Sequence, residues 1–104
     1  LEIGRFTKFT LLYFILENFR ANGFASSYFV ALITIKSAIY GSTLDYLIPP
    51  RADFYYKGNY VFFGLPAGEF ELIIRAQGYK PFVKKCFVKA GKQNDPMLVE
   101  LTPE

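Results

Sequence analysis

The clearest pattern along the chain lies at residues 69–76. There Phe70, Leu72, Ile74 and Ala76 alternate with Glu69, Glu71, Ile73, Arg75 and Gln77. A period of two is what a strand with one buried face produces, so Phe70, Leu72 and Ile74 are expected in the core. Runs rich in Val, Ile, Tyr, Phe and Thr at residues 28–40, 52–56, 60–63, 82–89 and 97–101 read the same way, with a shorter run at 46–48. Gly41-Ser42, Pro49-Pro50, Lys57-Gly58-Asn59, Leu65-Pro66-Ala67-Gly68 and Gln77-Gly78-Tyr79-Lys80-Pro81 punctuate them, and residues 90–96 form a polar loop. Short strands broken by Gly and Pro at about ten-residue spacing predict an all-β, antiparallel, two-layered domain.

The first residues follow a different rule. Phe6, Phe9, Leu12, Leu16 and Phe19 recur at steps of three and four, with Arg5, Lys8, Glu17 and Arg20 between them, which is an amphipathic helical period. The unbroken apolar run at 11–16 keeps a strand open as the alternative, and Asn22-Gly23 ends the element. Residues 1–25 are therefore expected as an N-terminal extension, either amphipathic helix or extra strand, before a sandwich domain at 26–104. Gly4, Arg5 and Lys8 ahead of the apolar residues 9–16 imitate a secretory signal. Glu17 interrupts that core, however, and no small-residue cleavage site follows. The uncharged run at 21–35 falls short of the roughly 20 apolar residues that cross a bilayer, so no integral span is expected. A start at Leu1 without Met, and an end at Thr102-Pro103-Glu104, suggest a piece excised from a longer protein.

The stretch with the most internal logic runs from residue 58 to residue 81. Gly58 is expected to supply the positive φ of a tight hairpin. Tyr60 and Phe62 share one face of the following strand, and Leu65 anchors its end. Pro66 presets a turn, and Gly68 takes a backbone conformation closed to other residues. Phe70 and Leu72 return to the core. Gly78-Tyr79 then makes a second corner, where the ring packs and the hydroxyl finds a backbone partner.

As an ordered set, Gly58-Asn59-Tyr60-Val61-Phe62, Leu65-Pro66-Ala67-Gly68, Phe70-Glu71-Leu72 and Ala76-Gln77-Gly78-Tyr79-Lys80-Pro81 resemble the carboxypeptidase regulatory-like, or transthyretin-like, family. The resemblance covers about residues 28–101. It implies a seven-stranded antiparallel Greek-key β-sandwich of the prealbumin-like type. Modules of this family are usually accessory or surface domains without catalytic residues of their own. The chain is thus expected to be a non-catalytic, extracytoplasmic contact module with a protein or carbohydrate partner. The alternatives are a small-ligand carrier that oligomerises through sheet edges, and an accessory domain of a metallocarboxypeptidase-type hydrolase. Fold alone does not choose between them.

Composition narrows the chemistry further. With 52% hydrophobic and 19% aromatic residues, from twelve Phe and eight Tyr, the chain is a folding sequence. It has no histidine, which removes Ser-His-Asp and Cys-His catalysis and histidine-ligated zinc. The lone Cys86 excludes an internal disulfide and a multi-cysteine metal site, and reads as an inert buried thiol. Asp45, Asp53 and Asp95 lack metal-ligand spacing. Catalytic residues, metal and cofactor are all expected to be absent. The net charge of +3 is too mild to point to nucleic acid. Tyr55, Tyr56 and Tyr60, with Lys80, Lys84 and Lys85, remain as a candidate binding surface for sugar rings or acidic groups. The plainer reading divides the tyrosines between core and surface, and makes Lys80, Lys84, Lys85, Lys89 and Lys92 guards of a sheet edge. Oligomeric state is not legible.

Overall fold

The computed structural model describes residues 10–21, 28–38, 41–65, 67–89, 91 and 95–104. Seven strands follow in order: β1 Thr10–Arg20, β2 Ala31–Ser37, β3 Thr43–Ile48, β4 Tyr55–Leu65, β5 Gly68–Ala76, β6 Phe82–Val88 and β7 Met97–Val99. They form one three-stranded sheet, β4-β1-β7, and one four-stranded sheet, β3-β2-β5-β6. There is no helix among the described residues. Every pairing is antiparallel except that of β1 with β7, which is parallel. The expectation of an antiparallel sheet throughout fails at that one junction.

The buried faces of both sheets meet in a single hydrophobic cluster, which makes the architecture sandwich-like. From the smaller sheet come Leu12, Phe14, Leu16 and Val99, and from the larger one Ile33, Ile35, Phe70, Leu72, Ile74 and Val88, all at most 2% exposed. Each such side chain contributes on the order of 1.5–3 kcal/mol by leaving water. β5 alternates buried with half-buried or exposed residues as its sequence predicts.

The helical period of the first segment has a β explanation. Residues 10–20, expected as the amphipathic helix or extra strand of an N-terminal extension, form a strand, and it is the central one of the smaller sheet. Leu12, Phe14 and Leu16 alternate inward. Opposite β4, Leu16 pairs with Gly58 and Phe19 with Tyr56, so two residues of β1, Glu17 and Asn18, face only Lys57. A bulge of this kind shifts the phase of a strand by one residue. Leu16 and Phe19, three apart, therefore both reach the core, and their spacing imitates a helix. The part of that pattern carried by Phe6 and Phe9, the Asn22-Gly23 stop and the 25/26 boundary lie outside the described residues.

A second correction concerns Gly58. It makes no hairpin: residues 52–56 and 60–63, expected as two strands about a turn, largely merge into the continuous strand β4. Positive φ occurs instead at Gly41, Gly68, Gly78 and Gly91. Gly41 closes the β2–β3 hairpin, where Ser37 N donates to Ser42 O at 2.9 Å. Gly68, with φ of 127°, opens β5 as expected; Pro66 lies outside the described residues. The Gly78-Tyr79 corner also behaves as its sequence predicts. Tyr79 Oη accepts from Arg20 N at 3.1 Å and donates to Arg20 O at 3.2 Å, while its ring packs edge-on against Phe19.

Candidate functional site

The six residues marked as a candidate surface do not form one patch. Tyr56 is 2% exposed and belongs to the core. Tyr60 is half-buried, stacked on Phe14 at 5.3 Å and edge-on to Tyr46 at 6.3 Å. Burial pushes the Tyr60 phenol above its ordinary pKa, and the neighbouring Tyr46 adds to this while Arg51 opposes it. Its hydroxyl is therefore neutral at physiological pH.

The lysines divide as well. Lys80 is exposed at the β5–β6 corner, where its N–H donates to Thr102 O at 2.8 Å. Lys84 and Lys85 are successive residues of β6 and so point to opposite sides of the sheet. Lys84 has the parity of Cys86 and Val88, which are buried, yet is itself exposed at the edge. Lys85 lies on the outer face in register with Glu71, which is in turn opposite Lys36. These three residues and Glu69 help line an open depression of about 300 Å³ with Ser37, Ala38, Gly41 and Phe70.

What the fold does assemble around Tyr55 is a corner of arginines and aromatic rings. It joins the end of β1, the loop at residues 51–54 and the start of β4. Asp53 organises the loop, because its Oδ1 accepts both from Tyr55 N at 3.0 Å and from Arg51 Nη2 at 3.1 Å. This Arg51–Asp53 ion pair is solvent-exposed and by itself stabilises little. Its role is positional. It sets the Arg51 guanidinium 4.3 Å above the Tyr56 ring, while Arg51 N donates to Tyr56 Oη at 2.9 Å. Tyr56 stacks on Phe19, which meets Tyr79 edge-on.

On the outer side, Arg20 sits 5.5 Å over the Tyr55 ring, and Ala21 N donates to Phe54 O at 2.8 Å. Phe54 and Tyr55 remain about half exposed, at 47% and 53%. The corner thus offers two guanidinium groups, a carboxylate and two open aromatic faces on a backbone held by hydrogen bonds. Such a set can stack against flat apolar faces and hydrogen-bond polar ones. Among its described residues no nucleophile is paired with a base.

The sequence reading picked Tyr55 here and missed Arg20 and Arg51. Arg51 follows Pro49-Pro50 beside a run of aromatics, a local signal that was available. Arg20 carried none, since its backbone meets Tyr79 from 59 positions away.

Cys86 is buried, and burial raises its thiol pKa more strongly than Lys84 lowers it. Its Sγ lies 3.6 Å from Met97 Sδ, in keeping with the inert thiol expected. Among the described residues no group of three or more potential ligands is placed to hold a metal ion. No described helix is long and apolar enough to cross a membrane. Compared with protein-family models, curated proteins and solved structures, the chain matches none.

Proposed function

We propose that this chain is a non-catalytic β-sandwich contact module of the transthyretin-like type, working outside the cytoplasm, which meets a carbohydrate or protein partner through the Arg20–Arg51–Tyr55 corner. Support for the fold reading comes from the connectivity. The chain leaves the smaller sheet after β1, returns for β4, leaves again for β5 and β6, and ends at β7. In the larger sheet β2 lies beside β5, so the connection between these neighbours passes through β3 and β4, a non-sequential order compatible with a Greek key. Gly68 and Gly78, two glycines of the motif that carries the resemblance, both have positive φ, as turns at those positions ask. The extracytoplasmic setting and the accessory-domain role rest on that resemblance.

The observation that carries the contact reading is the half-exposed Tyr55 ring, held under Arg20 and fixed through its N–H to Asp53. A prearranged ring loses little conformational freedom on binding, which is the condition for a useful contact residue. The carrier alternative asks for an enclosed, mainly apolar cavity. The depression at Lys36, Glu69, Glu71 and Lys85 is open and carries four charged side chains, so it is not that cavity.

The test is a titration of isotopically labelled protein with neutral and acidic oligosaccharides, followed by amide NMR shifts. Shifts are expected to cluster at residues 51–56 and Arg20 for one class of sugar, and Tyr55→Ala should weaken binding about tenfold, or roughly 1.4 kcal/mol. If no sugar shifts these residues, the carbohydrate arm falls. If a bound partner of any kind perturbs only the opposite end of the sandwich, the corner is not the contact site.

A further inference from the structure

The four edge strands of the two sheets are not equally protected. An unpaired edge invites pairing with another chain, and proteins blunt it with charge, proline, brevity or bulges. β6 carries Lys84 turned to the core side of the edge, with Lys85 beside it and Lys89 just beyond. β3 has six residues, includes Asp45 and runs into Pro49-Pro50. β7 has three residues and follows Pro96. β4 is different. It has eleven residues, Lys57 is its only charged side chain, and its one bulge lies at the far end, between Phe63 and Leu65, leaving residues 57–63 regular. Among the described residues it pairs with β1 alone.

The side chains of β4 are also self-complementary. Lys57, Asn59, Val61 and Phe63 all point to the outer side of the sheet and are exposed, Phe63 by 73%. When the strand is laid antiparallel against a copy of itself so that residues 57–63, on one side of the bulge at its end, pair, Tyr60 falls opposite Tyr60, Asn59 opposite Val61 and Lys57 opposite Phe63. This register opposes no like charges. It brings a cation to an exposed aromatic ring at both ends, a favourable contact. It also keeps the faces matched, since residues of equal parity meet.

We propose that the free edge of β4 pairs antiparallel with the same strand of a second copy, joining two three-stranded sheets into one continuous sheet about a two-fold axis near Tyr60. The arrangement is isologous, so one surface serves both partners and the assembly closes as a dimer. This goes beyond the contact-module reading, and neither depends on the other.

The test is analytical ultracentrifugation of the intact chain across the micromolar range, with the fold of each variant checked by far-UV circular dichroism. Wild type is expected to dimerise. Phe63→Lys, a change at an exposed position, sets lysine against lysine at both ends and should weaken dimerisation about tenfold or more. The double variant Lys57→Glu/Phe63→Lys sets opposite charges at both ends and should recover the dimer. A monomeric wild type at high micromolar concentration overturns the proposal, as does Phe63→Lys dimerising like wild type. A double variant as weak as the single one also overturns it, because apolar association through the outer face would not respond to the charge exchange.

Discussion

Gly58 and Gly68 look alike in the sequence, each beside a turn signal, yet the backbone uses them in opposite ways. Gly68 has φ of 127° and is buried at the start of β5, a conformation in which any side chain is strained. Gly58 lies in the middle of β4 without positive φ, and a Cβ built there meets nothing within 4 Å. Alanine at the two sites should therefore act with opposite sign. In urea denaturation, Gly68→Ala is expected to cost at least about 1 kcal/mol. Gly58→Ala should be neutral or stabilise by up to about 1 kcal/mol, since it removes freedom from the unfolded chain. Equal losses at both sites would contradict the conformations described. The turn chemistry of Gly68 and Gly78 was legible because positive φ is a property of one residue. The strand at Gly58 was not, because glycine tolerates an extended backbone as readily as a turn.

Among the elements, β1 and β6 show how neighbours decide what a pattern means. In β1 the apolar run at 11–16 satisfies either period, and only the bulge opposite Lys57 explains why Phe19 rejoins the core. In β6, Lys84 breaks an otherwise inward-facing row of Phe82, Cys86 and Val88, opposite Leu72. The edge-guard reading of the lysines is the one this geometry fits, because a lysine turned to the core side of an edge strand hinders another strand from docking. Lys84→Val is expected to leave the fold intact and to produce larger species than wild type, measured by light scattering at matched concentration. The same size distribution as wild type would remove the guarding role. The candidate lysine surface dissolves here for a simple reason: successive strand residues face opposite ways.

For the molecule as a whole, the contact that ties the two sheets together at one end is the Tyr79 hydroxyl on the Arg20 backbone. Beside it, Glu104 N donates to Gly78 O at 3.1 Å, so the last residues close over the same corner. Tyr79→Phe keeps the ring against Phe19 and removes only the hydroxyl. The expected loss is about 0.5–1.5 kcal/mol in denaturant unfolding, at the lower end because water reaches the Arg20 backbone. Because that backbone also carries the Arg20 side chain over Tyr55, the variant is expected to perturb the Arg20 and Tyr55 amide resonances. A wild-type spectrum at those two residues would separate the corner from the candidate site.

Residue order was enough to show the all-β class, the inward face of β5, the glycine-shaped corners at Gly68 and Gly78, and the want of histidine chemistry. Each of these depends on residue type and short-range spacing, which a single chain displays openly. Only the folded molecule shows that β1 is a central strand, that β7 runs parallel to it, that Tyr55 meets Arg20 while Tyr56 and Tyr60 turn inward, and that β4 is the longest edge strand among the described residues. Those outcomes depend on which strands become neighbours. Pairing between distant segments is settled by the burial of whole faces, and no local pattern records it.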